Sequence, residues 1–463
     1  MASAAEQLAA NLNFGAFGKA EDLKKRLWFT LGALLVYRLG TYIPLPGIDP
    51  EALRQIFNAN QGVLAMFNVF AGGAVGRMAI FALNIMPYIS ASIIIQLLTA
   101  VVPELEKLKK EGEQGRKQIN QYTRYLTVVL AVFQSWGIAV GLQSSGSVVA
   151  NPGLFFVMST VITLTGGTMF MMWLGEQITQ RGVGNGISLI IFAGIVAGLP
   201  AAVASTVRGM QTGTLSIVKI VLLVALMVSV IAAIVYMERG QRRIPVQYAK
   251  RVVGRKVYGG QNTYLPLRVN TGGVIPVIFA SSVIMIPATL AGLVNQPWLQ
   301  TIADQLRWGQ PLYYLLQIVA IVFFAYFYVS IIFNPNDTAE NMRKYGGFIP
   351  GIRSGKKTAE YIDKILTRLT LVGAAYLAAV TILPEFLLTG VKLGSLPFIG
   401  PRIEAAVPDW ITQGMGIDFY FGGTSLLIVV GVAMDTIQQV ESQLVMRNYE
   451  GFLKKGRIKG RRG

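Results

Sequence analysis

The side chains that most often do chemistry in enzymes are scarce in this chain. Its 463 residues include no His and no Cys, which excludes disulfides, thiolate metal sites, thiol nucleophiles and the commonest general base. Glu176, Glu238 and Asp435 each lie toward the end of an apolar segment, and no second Asp lies deep enough to complete an aspartyl pair. A Ser/His dyad is equally impossible. We therefore expect no enzyme, no metal site and no cofactor.

Ionisable residues in mid-membrane usually mark a proton or ion pathway, because each costs roughly 2.5 to 3.5 kcal/mol to insert. Arg38 and Lys219 also lie toward segment ends, where long side chains reach the interface. A proton-coupled carrier is thus disfavoured. The segments carry neutral polar residues instead, which usually hydrogen-bond between helices: Asn84, Ser90, Ser92, Gln96, Gln134 and Ser281.

Ten long apolar segments carry these residues. Most approach the roughly 20 residues that a helix needs to span a bilayer. With 53% hydrophobic and 14% charged residues and a mean hydropathy of +0.52, the chain is too apolar for one soluble core. We predict an all-α polytopic membrane protein with ten transmembrane helices. The segments begin near Leu27, Met78, Tyr125, Leu154, Ile187, Ser216, Thr271, Leu312, Leu369 and Phe421.

Basic residues alternate with these segments. Of the 41 Lys and Arg residues, 33 lie before the first segment, in every second connector or after the last segment. Because Lys and Arg are retained on the cytoplasmic side, both termini and these connectors should be cytoplasmic. The net charge of +18 is spread over several loops, so anionic lipid or a partner that binds basic loops fits better than nucleic acid on a soluble domain. Residues 1–20 lack a signal-peptide core, and the first helix should serve as the insertion signal.

An internal repeat divides the segments into two halves of five. Residues 86–95, MPYISASIII, match residues 275–284, IPVIFASSVI, at five of ten positions. Five crossings per half invert the second half, and inverted repeats place functional sites at the interface of the halves. Pro87 and Pro276 each remove a backbone donor and predict a kinked helix. Chance similarity between apolar helices remains the alternative.

The expected organisation follows from the repeat and the charge pattern. Residues 1–26 form a cytoplasmic N-terminal segment, residues 27–203 the first half, residues 204–440 the second half and residues 441–463 a basic cytoplasmic tail. Residues 63–76 are too short to cross a bilayer, so we expect a re-entrant or interfacial piece that turns at Gly72, Gly73 and Gly76. An amphipathic surface loop is the alternative.

Two connectors look built for binding, at about residues 238–270 and 334–368. Together they hold 15 Lys and Arg residues, more than topology requires, although attraction to anionic lipid would also explain them. The first has short β-branched runs broken at Gly254 and Gly259, which predicts a hairpin. The GVGNG run at residues 182–186 lacks the Walker Lys and predicts a tight turn, while Gly194 and Gly198 predict a helix-packing face.

Six stretches spread over nearly the whole chain resemble the SecY family, which forms the central channel of bacterial protein translocation. They are IFALNIMPYISASIIIQLL (80–98), EGEQGRKQINQYTRY (111–125), WLGEQITQRGVGNGIS (173–188), ERGQRR (238–243), FNPNDTAENMRKYGGFIPGIR (333–353) and FGGTSLLIVVGVAMD (421–435). The external stretch at about residues 391–420 is longer than we expect of the family, and its role is unassigned.

The resemblance implies an hourglass channel with an apolar waist, a short re-entrant plug helix and a lateral gate. The i, i+4 spacing of Ile85/Ile89 and of Ile187/Ile191 independently puts each pair on one helical face. The family positions map onto this chain as a pore ring of Ile85, Ile89, Ile187, Ile191, Ile278 and Ile428, a plug at residues 62–76 with Gly62, Met66, Phe67, Phe70, Gly72 and Gly73, and gate contacts Ser90, Gln96, Gln134 and Asn270.

The resemblance also implies partners. The two basic loops correspond to docking sites for the ribosome and the ATPase SecA, with Arg255, Lys256 and Arg353 as contacts, and ribosomal RNA would meet them through its phosphates. SecE-like and SecG-like small membrane subunits, signal sequences, unfolded polypeptides and anionic lipids are the other expected partners. The implied protein is a passive channel in the bacterial inner (plasma) membrane. A small-solute secondary transporter with an inverted five-plus-five repeat is the alternative.

Overall fold

The protein is mostly helical. A computed structural model describes residues 21–53, 68–144, 148–213, 215–248, 251–253, 256–258, 263–293, 297–307, 309–392, 408, 412, 414 and 422–455. The helices are α1 Glu21–Gly40, α2 Met86–Val101, α3 Pro103–Lys110, α4 Glu113–Ser144, α5 Leu154–Arg181, α6 Gly186–Gln211, α7 Ile217–Arg239, α8 Ile275–Leu293, α9 Pro297–Gln305, α10 Pro311–Ile332, α11 Pro335–Lys344, α12 Lys356–Thr389 and α13 Gly423–Lys455. The strands are β1 Gln241–Tyr248, β2 Arg251–Val253, β3 Lys256–Tyr258, β4 Thr263–Arg268 and β5 Gly347–Phe348.

Each predicted apolar segment contains one helix. Within the described residues, seven helices are long and apolar enough to cross a membrane, and the pair α2 and α3, bent by 97°, would make an eighth. Two of the ten apolar segments contain helices that do not meet this requirement. Helix α1 begins with the charged run EDLKKR, and the apolar part of α8 spans only Ile275–Pro287. The helical membrane fold is therefore confirmed, whereas the count of ten crossings stays a prediction.

The two prolines of the repeat do not kink their helices, so that prediction is wrong. Pro87 is the second residue of α2, and Pro276 is the second residue of α8. At that position the missing N–H has no partner to lose, which is why Pro favours helix starts. The repeat itself extends further back, because Asn84 (φ 50°) and Gly273 (φ 60°) are both left-handed two residues before the helix.

The described residues form two compact units. The first comprises the chain up to Gly198 and from Val432 onward, and the second comprises Leu199–Gly431. In the first unit, Arg124 of α4 forms a two-pronged ion pair with Glu176 of α5, with Nε–Oε1 at 2.9 Å and Nη2–Oε2 at 2.6 Å. In the second unit, α10 packs against α8 and α12. The division at residues 203 and 204 stays a prediction.

The GVGNG run forms the predicted tight turn between α5 and α6. Its backbone is held from two sides: Val183 N donates to the Thr30 hydroxyl of α1 at 3.1 Å, and Gly184 N donates to Gln439 Oε1 of α13 at 3.0 Å. Gly184 has a φ of 86°, which glycine adopts without a steric penalty. The run is thus a packing feature of the first unit.

The two basic loops share one β-sheet. Antiparallel pairing of β1 with β4 confirms the predicted hairpin, and β2 and β3 pair beyond it. β1 also pairs with β5, at Gln247 with Phe348 and at Tyr248 with Gly347, so the sheet order is β4-β1-β5. Behind it lies an apolar core made by strand residues, Ile349 and the first turns of α12. We call β1, β4, β5 and these turns the sheet module; its buried core residues are Ile244, Leu267, Ile349 and Ile362.

Candidate functional site

The pore-ring candidates of the first unit lie at the starts of two helices. Ile85 immediately precedes α2 and is fully buried, and Ile89 follows one turn later, with its N–H donating to Ile85 O at 3.1 Å. In α6, Ile191 is buried and Ile187 is half-buried. A Cβ atom on Gly175 of α5 would lie 3.2 Å from Ile187 Cγ1, so Ile187 packs closely against α5.

The other two candidates, Ile278 of α8 and Ile428 of α13, belong to the second unit, and both are buried. Each is therefore enclosed by protein. An arrangement of all six isoleucines as a ring involves both units and stays a prediction.

Half of the plug candidates can be placed. Gly62, Met66 and Phe67 lie outside the described residues. Phe70 is buried, and Gly72 and Gly73 have φ values of 62° and 83°, a left-handed conformation that glycine tolerates best. Residues 70–73, which we call the glycine turn, therefore reverse the chain as the sequence predicts.

Two arginines clamp the glycine turn. Arg38 Nη1 donates to Gly72 O at 2.7 Å, and Arg77 Nη2 donates to the same oxygen at 3.1 Å. Arg77 Nε also donates to Thr41 O at 3.2 Å. Both guanidinium groups stack on Tyr42, at 4.9 Å and 4.2 Å from the ring centroid, and a cation over an aromatic face is attracted to it. The Gly72 carbonyl and the Tyr42 ring thus bind two positively charged side chains, Arg38 and Arg77.

The glycine turn also touches α6 backbone to backbone. A Cβ atom on Gly194 would lie 2.6 Å from Phe70 O, and one on Gly72 would lie 3.0 Å from Gly194 Cα. Phe70 O accepts from Asn84 Nδ2 at 2.8 Å. Gly194 is therefore part of the predicted packing face. At Gly198 a Cβ atom would have no neighbour within 4 Å among the described residues, so a packing contact at that position stays a prediction.

The sequence did not single out the residues of this clamp. Arg77, Tyr42 and Thr41 carried no recognisable signal, because they act on a backbone carbonyl and leave no side-chain pattern. Arg38 gave the one usable sign, a charged residue near the end of an otherwise apolar segment.

The gate candidates are divided between the units. Ser90, Gln96 and Gln134 belong to the first unit, and Asn270 to the second. Gln96 Nε2 donates to Ser92 Oγ, one turn earlier in α2, at 3.0 Å. Ser90 is buried, and Gln134 is half-buried in α4. Asn270 lies between β4 and α8 and donates to Glu238 of α7 at 2.6 Å. Contacts among all four stay a prediction.

Two of the three docking candidates lie within the described residues. Arg353 is exposed in the loop after β5. Lys256 opens β3, and Arg255 lies outside the described residues. The structure therefore brings the two basic loops together through β1 and β5, which the sequence did not predict.

Comparisons with known proteins all point to one family. The family model for SecY matches residues 79–437. The chain is 52% identical over 453 residues to protein translocase subunit SecY of Escherichia coli K12, covering 96% of this chain and 97% of that protein. It is 52% identical over 449 residues to the same subunit of Pseudomonas aeruginosa, covering 96% of both.

Two solved structures share the fold. One, described as the structure of a protein conducting channel, has a TM-score of 0.64 at 16% identity and covers 92% of this chain and 93% of that chain. Sec61 in the canine ribosome-channel complex from the endoplasmic reticulum has a TM-score of 0.60 at 16% identity, with coverage of 92% and 93%. With half of its residues identical to curated SecY subunits over nearly its full length, this chain belongs to the SecY family.

Proposed function

We propose that this chain is the channel-forming subunit of a bacterial protein translocase. It conducts unfolded secretory polypeptides across the plasma membrane and releases the helices of membrane proteins sideways into lipid. The observation that carries the proposal is 52% identity to a protein translocase subunit over 96% of this chain. The alternative of a small-solute secondary transporter rests on the repeat alone and is not favoured.

The waist of the channel is apolar. Its side chains offer water and ions no hydrogen bond, so a narrow waist loses its water and resists leakage, yet it does not select among passing chains. The burial of five of the six candidates supports this role, because residues that face lipid would be exposed in the isolated chain. The six are Ile85, Ile89, Ile187, Ile191, Ile278 and Ile428.

Residues 62–76 act as the plug that closes this waist at rest. The clamp supports the proposal, since Arg38 and Arg77 hold the glycine turn through a few hydrogen bonds that a moving segment can break and remake. Ser90, Gln96, Gln134 and Asn270 form a gate toward lipid. An inserting signal sequence exchanges such polar contacts, worth about 0.6 kcal/mol each, for apolar burial.

The energy comes from partners, and the chain itself catalyses no reaction and needs no cofactor. SecA or the ribosome docks on the basic loops at Arg255, Lys256 and Arg353, and the exposure of Arg353 supports this. SecE-like and SecG-like subunits and anionic lipids complete the assembly. The basic loops and both termini lie on the cytoplasmic side of the bacterial inner membrane.

Ion leak and precursor transport in proteoliposomes test the proposal. Replacing Ile85, Ile187 and Ile278 together by Gly should raise the ion leak of the purified complex and alter precursor transport. The matched control makes the same change at Ile95, Ile195 and Ile284, which are buried in α2, α6 and α8. It should destabilise the protein without opening a leak. Equal leaks in the two triple variants would show that the waist lies elsewhere, and transport of a small solute without precursor would favour the alternative.

A further inference from the structure

Asn270 and Glu238 lie side by side at the base of the hairpin formed by β1 and β4. Glu238 is three residues before β1, and Asn270 is two residues after β4 and five before α8. Asn270 Nδ2 donates to Glu238 Oε1 at 2.6 Å and to Gly273 O at 3.1 Å. Their exposures are 5% and 8%. The pair therefore joins the end of α7 to the start of α8 where the sheet module meets the helices.

At 2.6 Å this bond is shorter than an ordinary N–H···O hydrogen bond. A buried carboxyl group that loses a hydrogen-bond donor pays a desolvation penalty. An amide nitrogen has two hydrogens, and both hydrogens of Asn270 Nδ2 are used by Glu238 and Gly273. Only Oδ1 is left to contact a gate residue, so the donor side of Asn270 serves α7 and α8.

The backbone next to the Asn270–Glu238 pair is held by close contacts on both sides. Val269 N donates to Gly240 O at 3.0 Å, which continues the ladder beyond the last strand pair, Gln241 with Arg268. On the other side, a Cβ atom on Gly373 of α12 would lie 2.8 Å from Val269 O. A displacement of the hairpin base therefore cannot be absorbed by a loose linker before it reaches α8.

The sheet module gives this base a rigid extension. Pairing of β1 with both β4 and β5 makes one body of the two basic loops, and its core of Ile244, Leu267, Ile349 and Ile362 fixes it to the start of α12. Arg353 is exposed on this body, and Ile278 lies in the first turn of α8. A partner bound to the loops is thus connected by ordered structure to the helix that carries a pore-ring candidate.

We propose that Asn270 and Glu238 form a joint that transmits load from the sheet module to α8. In this role they are positioning residues, since they act through α8 and not on the partner or the passing polypeptide. This inference rests on the proposed function, with an anionic macromolecule pulling or pushing on the basic loops. It assigns Asn270 a role in moving α8 that is separate from the gate contact expected from the sequence.

A distance measurement tests the joint without any partner. Because the chain has no Cys, spin labels can be attached at Tyr264→Cys in β4 and Val283→Cys in α8, which are 59% and 36% exposed. We expect a narrow distance distribution in the otherwise unmodified complex and a broad one after Asn270→Ala. Thr271→Ala is the matched control, because that hydroxyl bonds to Arg268 O at 2.9 Å within the same loop, and it should leave the distribution narrow. An unchanged distribution in N270A would overturn the proposal.

Transport per bound partner supplies the second readout. In proteoliposomes with SecA, Asn270→Ala should leave SecA affinity unchanged and lower precursor transport per bound SecA about ten-fold, the factor expected when a buried polar group loses a hydrogen-bond donor. Glu238→Gln keeps an acceptor oxygen and should lose less. Equal transport per bound SecA in N270A and the unmodified complex would also overturn the joint. If SecA failed to bind the unmodified complex, the proposed function would fail instead, while the label distances would still decide the joint.

Discussion

The guanidinium of Arg38 in α1 lies 2.7 Å from the carbonyl oxygen of Gly72, 34 residues further along the chain. The acceptor is a backbone carbonyl, so the bond leaves no side-chain pattern, but the contact favours glycine at position 72, because a Cβ atom there would lie 3.1 Å from Arg38 Nη1. Arg77 binds the same oxygen from within the turn's own segment, whereas Arg38 binds it from a separate helix. Movement of the glycine turn away from α1 therefore has to break the Arg38 bond.

Arg38→Gln should loosen the closed state. A glutamine loses the charge and the stacking on Tyr42, and a hydrogen bond to a charged group is worth about 1.5 to 3 kcal/mol, so the resting ion leak of the purified complex should rise roughly ten-fold or more. Ion flux from proteoliposomes measures it. Arg26→Gln is the control, since Arg26 lies in the same helix and its Nη1 donates to Gly182 O at 3.4 Å, away from the turn. Leaks of equal size in the two variants would refute the clamp.

Gly194→Ala should disturb the same turn from the side of α6. The added methyl group would lie 2.6 Å from Phe70 O and 2.9 Å from the Tyr37 hydroxyl, and a backbone carbonyl cannot swing away as a flexible side chain can. We expect a loss of about 1 to 3 kcal/mol in stability, typical of overpacking, measured as a lower midpoint of thermal unfolding.

The matched control for Gly194→Ala is Gly198→Ala, one turn later in α6. A methyl group there would meet no described atom within 4 Å, and Ala in a helix is favoured over Gly by roughly 0.5 to 1 kcal/mol. G198A should therefore unfold at the same temperature as the unmodified protein or slightly higher. A G194A protein as stable as G198A would mean that the close approach is not needed.

Much of the fold was predictable because lipid imposes strong rules on sequence. A helix must hide its backbone from hydrocarbon, so each crossing leaves an apolar run. The orientation expected from the placement of Lys and Arg stays a prediction. The β-branched runs between Gln241 and Arg268 likewise predicted the hairpin. Pro87 was misread because an apolar run does not mark where its helix begins: α2 starts at Met86, eight residues after the run does.

The contacts that matter most for the site were not predictable. Arg38 and Arg77 bind the carbonyl oxygen of Gly72. Every residue has such an oxygen, so the sequence does not indicate which residue the two arginines bind. Pairing of Gln247 with Phe348 joins strands about 100 residues apart, and β5 is only two residues long, too short for a period-2 pattern. Sequence reasoning singled out the basic loops and Gly72 and Gly73 separately, and the structure shows which residues they contact.

Thr424→Val should destabilise the second unit. Thr424 of α13 lies at a buried polar contact with α10 and α12. The Thr424 hydroxyl donates to Glu385 Oε1 of α12 at 3.1 Å, and Gln317 Nε2 of α10 lies 3.5 Å from it. Valine has the same shape without the hydroxyl, so the carboxyl group of Glu385, which is 6% exposed, loses a hydrogen-bond donor that water cannot reach to replace. We expect a loss of about 1 to 3 kcal/mol, seen as a lower thermal midpoint in detergent. Thr424→Ser keeps the hydroxyl and loses only a methyl group, so it should retain most of the stability. If the serine variant unfolded as easily as the valine variant, packing of the methyl group and not the hydrogen bond would hold α13 against α12.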